Sequence, residues 1–244
     1  MQMLLIHIRG EQEMRDHEYK CVVEHSGLSE SEIVRVDAVR DPITTDLLDG
    51  ADILLVGGSG DYSLPAGEMP EMVESLKSIV VEARDRSIPI LGVCYGSHVI
   101  AEALGGKVVK DKANEEVGTH RITLNENASR CPVFSQMPNE FDAQLGHSDH
   151  IVELPPGAVN LGSSKLSEVQ AFIFPGEPIY ALTFHPELNE RALIERIEYY
   201  AGNYSWDEDK VAQLKSTIGP TPEAVKVFDL FMSEIVRAGR RYGS

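Results

Sequence analysis

The chain has 244 residues, 42% of them hydrophobic, which is enough for one substantial core, and α/β folds of this length commonly form a single domain. Its 22 basic side chains face 39 acidic ones, and the net charge of −17 repels nucleic-acid backbones and anionic lipids, so neither nucleic acid nor membrane is an expected partner. Cys21, Cys94 and Cys131 form an odd, sparse set without metal-ligand spacing, so no disulfide framework, metal site or other cofactor is expected.

The apolar start, Met3 to Ile8, is too short to span a membrane and carries no cationic flank or cleavage site, so it reads as the first strand of a cytoplasmic protein. Residues 11 to 25 carry mixed charge and suggest a helix, Ile33 to Val36 a second strand, and Ile53 to Val56 a buried third strand ending in Gly57 and Gly58. From Pro70 to Arg84, Met72, Val73, Leu76, Ile79, Val80 and Ala83 recur at helical spacing behind a first-turn proline. Ile88 to Val93 is a strand leading directly into Cys94, and Ser97 to Leu104 reads as a short helix stopped by Gly105 and Gly106. Residues 107 to 183 read as shorter strands broken by proline and glycine, adding antiparallel elements to a parallel sheet. After Trp206, Asp207 to Asp209 open a weak helix. Thr221-Pro222-Glu223 starts a stronger one, in which Val225, Phe228, Phe231, Met232 and Ile235 form an apolar stripe and Gly239 can close the helix. Residues 1–204 are therefore expected to form the main domain and 205–244 a helical extension packed on it, with a homodimer or partner interface as the other use of the stripe.

Gly92-Val93-Cys94-Tyr95-Gly96 places a cysteine between a strand and a helix, flanked by glycines that leave room for a sharp turn. This is the context of a nucleophile elbow, where the following helix directs its positive end at the sulfur and favours thiolate. A thiolate needs a general base, and the base needs an orienter; His185-Pro186-Glu187, after the strand-like Ile179 to Phe184, offers both from one loop. Backbone amides could receive an oxyanion from two places, the residue after the nucleophile, Tyr95, and the loop Gly57-Gly58-Ser59-Gly60. A phosphate cradle is the weaker reading of that loop, because no G-K-[ST] follows and Asp61 would repel phosphate. His147-Ser148-Asp149-His150 invites a metal, but no pattern places the further ligands a site would need. Cys21 and Cys131 read as packing residues.

The G-x-C-x-G elbow followed far downstream by Phe184-His185-Pro186-Glu187 resembles the class-I, or triad, glutamine amidotransferases. The resemblance runs along most of residues 1 to 200 through Gly57 to Gly60, Ala101 to Val108, Glu116-Val117-Gly118 and His147-Ser148-Asp149, in an order like that of the amidotransferase half of GMP synthetase and its stand-alone relatives. It implies a flavodoxin-like three-layer α/β sandwich with a mostly parallel central sheet. Cys94 is then the nucleophile, His185 the base and acid, and Glu187 its orienter, with Gly58 and Tyr95 in the oxyanion hole and Ser59, His98, His147, Ser148 and Asp149 around the substrate. The family's C-x-G-[HM]-Q reads here as Cys94 to His98, with histidine for the glutamine; Thr183 stands where Q-F-H-P-E has glutamine, and Gly146 replaces the serine of S-H-x-D. The implied ligand is glutamine or another γ-glutamyl small molecule, and the implied activity glutaminase or amidotransferase chemistry, γ-glutamyl peptide hydrolysis being the alternative. A non-catalytic protein retaining the fold is a third reading, which an intact triad disfavours. No synthase-like segment follows, so ammonia is expected to pass to a separate synthase subunit or be released.

Overall fold

The computed structural model describes residues 1–238. In chain order the elements are β1 (Met3–Ile8), α1 (Gln12–Ser26), β2 (Ile33–Asp37), β3 (Ile53–Ser59), α2 (Pro70–Asp85), β4 (Ile90–Val93), α3 (Tyr95–Ala103), β5 (Lys107–Lys110), β6 (Glu116–Leu124), β7 (Glu140–His147), β8 (Asp149–Glu153), β9 (Val159–Ser163), β10 (Ala171–Ile173), β11 (Ile179–Leu182), α4 (Glu190–Tyr200), α5 (Glu208–Ser216) and α6 (Pro222–Leu230). A π-helical segment, Phe231–Arg237, continues α6. Among the described residues, no helix is long and apolar enough to cross a membrane.

One nine-stranded sheet runs in the order β2-β1-β3-β4-β11-β10-β9-β6-β7. The first five of these strands pair in parallel and the remaining pairings are antiparallel, while β5 and β8 form a separate antiparallel pair. The expected architecture, an α/β sandwich with antiparallel strands added to a parallel sheet, is the one observed. Strand side chains alternate between faces, and the core divides accordingly. Met3, Leu5, Ile53, Leu55, Leu91 and Val93 pack with Val22 of α1 and Phe228 of α6. Their neighbours Leu4, Ile6, Leu54, Val56 and Ile90 pack on the opposite face against Leu76 and Ile79 of α2 and Ile100 of α3.

All six apolar positions expected in α2 are buried. α1 follows a different logic, because its inward face holds Arg15 and Glu18 beside Met14, Cys21 and Val22. The C-terminal stripe is only partly as expected. Phe228, Phe231 and Met232 are buried, whereas Val225 is half-buried and Val236, not Ile235, takes the deepest place in the last turn. A π-helix turns once in more residues than an α-helix, so the inward position after Phe231 falls five residues on rather than four. Gly239, expected to close this helix, lies outside the described residues.

Candidate active site

β3, β4 and β11 are neighbours, with β4 in the middle, and the site is built where their carboxyl ends meet. Cys94 follows β4 with φ 51° and ψ −108°, a left-handed conformation that a side chain rarely adopts. The surrounding bonds hold it there. Its N–H donates to Leu182 O at 2.7 Å, and its carbonyl accepts from Ser97 N at 2.9 Å and the Ser97 hydroxyl at 2.6 Å. α3 therefore begins at Tyr95, two residues before the expected start, and its amino end abuts the thiol. The flanking glycines are spatial requirements: a Cβ on Gly96 would lie 2.1 Å from Val56 O, and one on Gly92 would lie 2.4 Å from Ile100 Cδ1.

His185 follows β11, its N–H donating to Gln144 O at 2.9 Å. Its Nδ1–H donates to Glu187 Oε1 at 2.8 Å, which leaves Nε2 as the ring nitrogen that can serve the Cys94 thiol, whose Sγ lies 3.9 Å from Gly146 O. Burial opposes charge on the imidazole, but the Glu187 carboxylate and the Cys94 sulfur outweigh it and push His185 up to about 9. Burial also opposes ionisation of Glu187, yet His185 and Arg196 hold it down to about 2. Arg196 Nη1 donates to the same Glu187 oxygen at 3.2 Å and passes 3.3 Å from His185 Nδ1. The carboxylate is thus clamped from two sides.

Gly58, at the end of β3, faces this group so closely that a Cβ there would meet His185 Cε1 at 3.0 Å and Cys94 Cβ at 3.5 Å. A cavity opens beside His185, with Arg9, Ser59, Gly146, His147, Ser148 and Arg196 on its walls, and extends past Leu193 and Ile197 to Tyr204 and Trp206. Of the residues expected around a substrate, Ser59, His147 and Ser148 line this cavity, while His98 and Asp149 do not. The Ser59 hydroxyl also accepts from Tyr62 N at 2.8 Å and so shapes its own loop. His98 is buried edge-on to His147, ring centroids 6.3 Å apart, and burial followed by the nearby His150 lowers it to about 3, so it is neutral. Asp149 accepts from the Ser63 hydroxyl at 2.9 Å and from Leu64 N at 3.0 Å, anchoring the segment that follows β3. His147 Nδ1–H donates to Asp149 O at 3.0 Å, and burial followed by its histidine neighbours keeps its pKa well below the ordinary value. Among the described residues, no group of three or more His, Cys, Asp or Glu side chains is arranged to hold a metal ion.

Thr183 donates to the Gln170 side-chain carbonyl, and the Gln170 amide donates to Glu116 Oε2 at 2.6 Å, so a buried polar chain runs behind His147. Sequence reasoning did not single out Gln170, Arg9, Tyr200, Tyr204 or Arg196. Arg196 did leave a signal: it lies on the inward face of α4 with Ala192, Leu193, Ile197 and Tyr200, where a lone charge must have a buried partner.

The sequence pattern of the family described as "Glutamine amidotransferase class-I" matches residues 16–197. A protein of Thermoplasma acidophilum, named as one subunit of a glutamine-hydrolyzing GMP synthase, is 33% identical over 150 residues, covering 62% of this chain and 70% of that protein. Its namesake from Thermoplasma volcanium is 34% identical over 155 residues, covering 64% and 72%. The crystal structure of a glutamine amidotransferase from Thermotoga maritima shares the fold with a TM-score of 0.73 at 22% identity, over 97% of each chain.

Proposed function

As this chain belongs to the class-I glutamine amidotransferase family, we propose that it is a cysteine amidohydrolase that cleaves the γ-amide of glutamine to glutamate and ammonia. The observation that carries this reading is the convergence of Cys94, held at φ 51°, with the buried His185–Glu187 pair. Cys94 Sγ, its proton already held by His185, bonds to the γ-carbonyl carbon, and the carbonyl electron pair moves onto oxygen. The N–H groups of Gly58 and Tyr95 receive that oxyanion. When the intermediate collapses, the C–N bond breaks, His185 returns the proton to nitrogen, and ammonia leaves a γ-glutamyl thioester on Cys94. Water then attacks the thioester, giving its proton to His185, and the second collapse frees glutamate and the thiol. Glu187 fixes the imidazole tautomer throughout, and Arg196 positions Glu187.

Ser59, His147 and Ser148 contact the substrate in this reading, while His98 and Asp149 act by placing His147 and the segment after β3. A larger γ-glutamyl amide is the second reading, favoured by the extension of the cavity beyond His185 to Trp206. The Thermoplasma relatives are named as one subunit of GMP synthase, which supports a separate synthase chain as the consumer of ammonia. Residues 1–204 serve as the amidotransferase domain, and the helices after it as an extension whose buried Phe228 and Phe231 complete one face of the core. Acid quenching during turnover, followed by peptide mass analysis, tests the mechanism. The γ-glutamyl mass is expected on the Cys94 peptide; its absence from that peptide while glutamate accumulates would overturn the thioester route.

A further inference from the structure

Arg9 occupies the carboxyl end of β1 and is only 2% exposed. Its Nε donates to Glu18 Oε1 at 3.1 Å, and its Nη1 donates to the Tyr200 hydroxyl at 3.0 Å. Nη2 donates to no other group among the described residues, although Arg9 lies on the wall of the active-site cavity. The position of this nitrogen is fixed by its neighbours. A Cβ built on Gly58 would meet Arg9 Nη2 at 3.2 Å, His185 Cε1 at 3.0 Å and Cys94 Cβ at 3.5 Å, so the guanidinium, the imidazole and the thiol-bearing carbon converge on one face of one glycine.

The ion pair with Glu18 accounts for Nε of Arg9 but not for the position of Nη2. Glu18 already takes a hydrogen bond from His7 Nδ1 at 2.6 Å through its other oxygen, and the Arg9 contribution uses Nε alone. A buried guanidinium is costly unless its N–H groups find acceptors, and the acceptor that best fits a planar fork is a carboxylate. Arg196 adds a second guanidinium to the same wall, and its Nη2 is buried without a hydrogen-bond partner.

We propose that Arg9 forms a carboxylate-binding subsite of the active-site cavity, its free Nη2 taking a carboxylate of the γ-glutamyl substrate beside Cys94 and His185. The proposal rests on the reading of the site as a γ-glutamyl amidase. Two carboxylates have the required chemistry: the α-carboxylate of the γ-glutamyl group, and one carried by the departing amine, as in a γ-glutamyl amino acid.

The test compares kcat/KM for two substrate pairs, each differing by one carboxylate: glutamine with 4-aminobutanamide, and γ-glutamylalanine with γ-glutamylethylamide. In the wild type, deleting the carboxylate that Arg9 holds should cost about tenfold or more, and in Arg9→Gln that penalty should shrink to about twofold or less. The pair that responds identifies which carboxylate is bound. Arg9→Lys keeps a cation against Glu18 while losing the free N–H, so it should behave like Arg9→Gln even if the glutamine variant folds poorly. Unchanged penalties in Arg9→Lys for both pairs would overturn the subsite. If the wild type cleaves none of the four compounds, the amidase reading fails, and the subsite is then judged by calorimetric binding of glutarate. Binding about tenfold weaker in Arg9→Lys would support it, and equal or undetectable binding by both proteins would overturn it.

Discussion

His185 Nδ1 lies 2.8 Å from Glu187 Oε1, and both side chains are buried. The pair therefore ties folding to pH. His185 is raised from its ordinary 6.5 to about 9, so the stability it contributes is complete below about pH 6.5 and is lost as pH rises through about 9. Glu187 is lowered from 4.5 to about 2, so its share is complete above about pH 4.5 and is lost as pH falls through about 2. The melting-temperature difference between wild type and Glu187→Gln should be largest between about pH 4.5 and 6.5 and shrink toward pH 9, reflecting a linkage on the order of 3 kcal/mol. A difference that is flat with pH would contradict the coupling.

Arg196 acts through Glu187, whose Oε1 it meets at 3.2 Å. Replacing it with glutamine removes a cation that holds the carboxylate ionised, so the acid limb of the kcat profile should move to higher pH and kcat fall about tenfold. Arg196→Lys should restore most of kcat. A loss of folding stability with no movement of the acid limb would assign Arg196 a structural role only.

The two glycines of the site should fail differently. Gly96→Ala drives a methyl to 2.1 Å from the Val56 carbonyl, a backbone atom that cannot yield, and should cost about 3 kcal/mol or more. Gly58→Ala places its methyl 3.0 Å from His185 Cε1 and 3.2 Å from Arg9 Nη2, side-chain atoms that can shift by tenths of an ångström. The fold should survive that change while kcat falls about tenfold to a hundredfold. Thermal melts and initial rates on the two variants separate these outcomes.

Phe231 of the C-terminal segment is fully buried and meets Tyr180 of β11 edge to face, ring centroids 5.4 Å apart. Phe231→Ala should cost about 3–5 kcal/mol, measured by urea unfolding, because it opens a cavity against the sheet. A cost below about 1 kcal/mol would mean that the segment is not part of the domain's core.

The alternation of strands and helices was legible because apolar runs such as Ile53 to Val56 and the spaced positions of α2 report burial directly. Cys94 and the His185–Glu187 pair could be named as candidates because each follows a strand that sequence periodicity locates. Other features depend on partners far along the chain. Arg9 is explained by Glu18 and Tyr200, the latter 191 residues away, and α1 does not read as amphipathic because its inward face carries Arg15 and Glu18. The direction of His98 was equally hidden, since a first-turn side chain can face either the cavity or the core, and here it packs on His147. The exchange of Ile235 for Val236 follows from a π-helical turn, which no spacing rule for α-helices anticipates.

The central claim is that Cys94 is the nucleophile of a γ-glutamyl amidase, and glutamate release tests it most directly. Wild type and Cys94→Ala are incubated in parallel with glutamine and with a set of γ-glutamyl amides, and free glutamate is measured over time. Wild type should release glutamate from at least one of these compounds while the Cys94→Ala protein releases none above the uncatalysed background. Equal release by the two proteins, or none by wild type from any compound, would contradict the assignment.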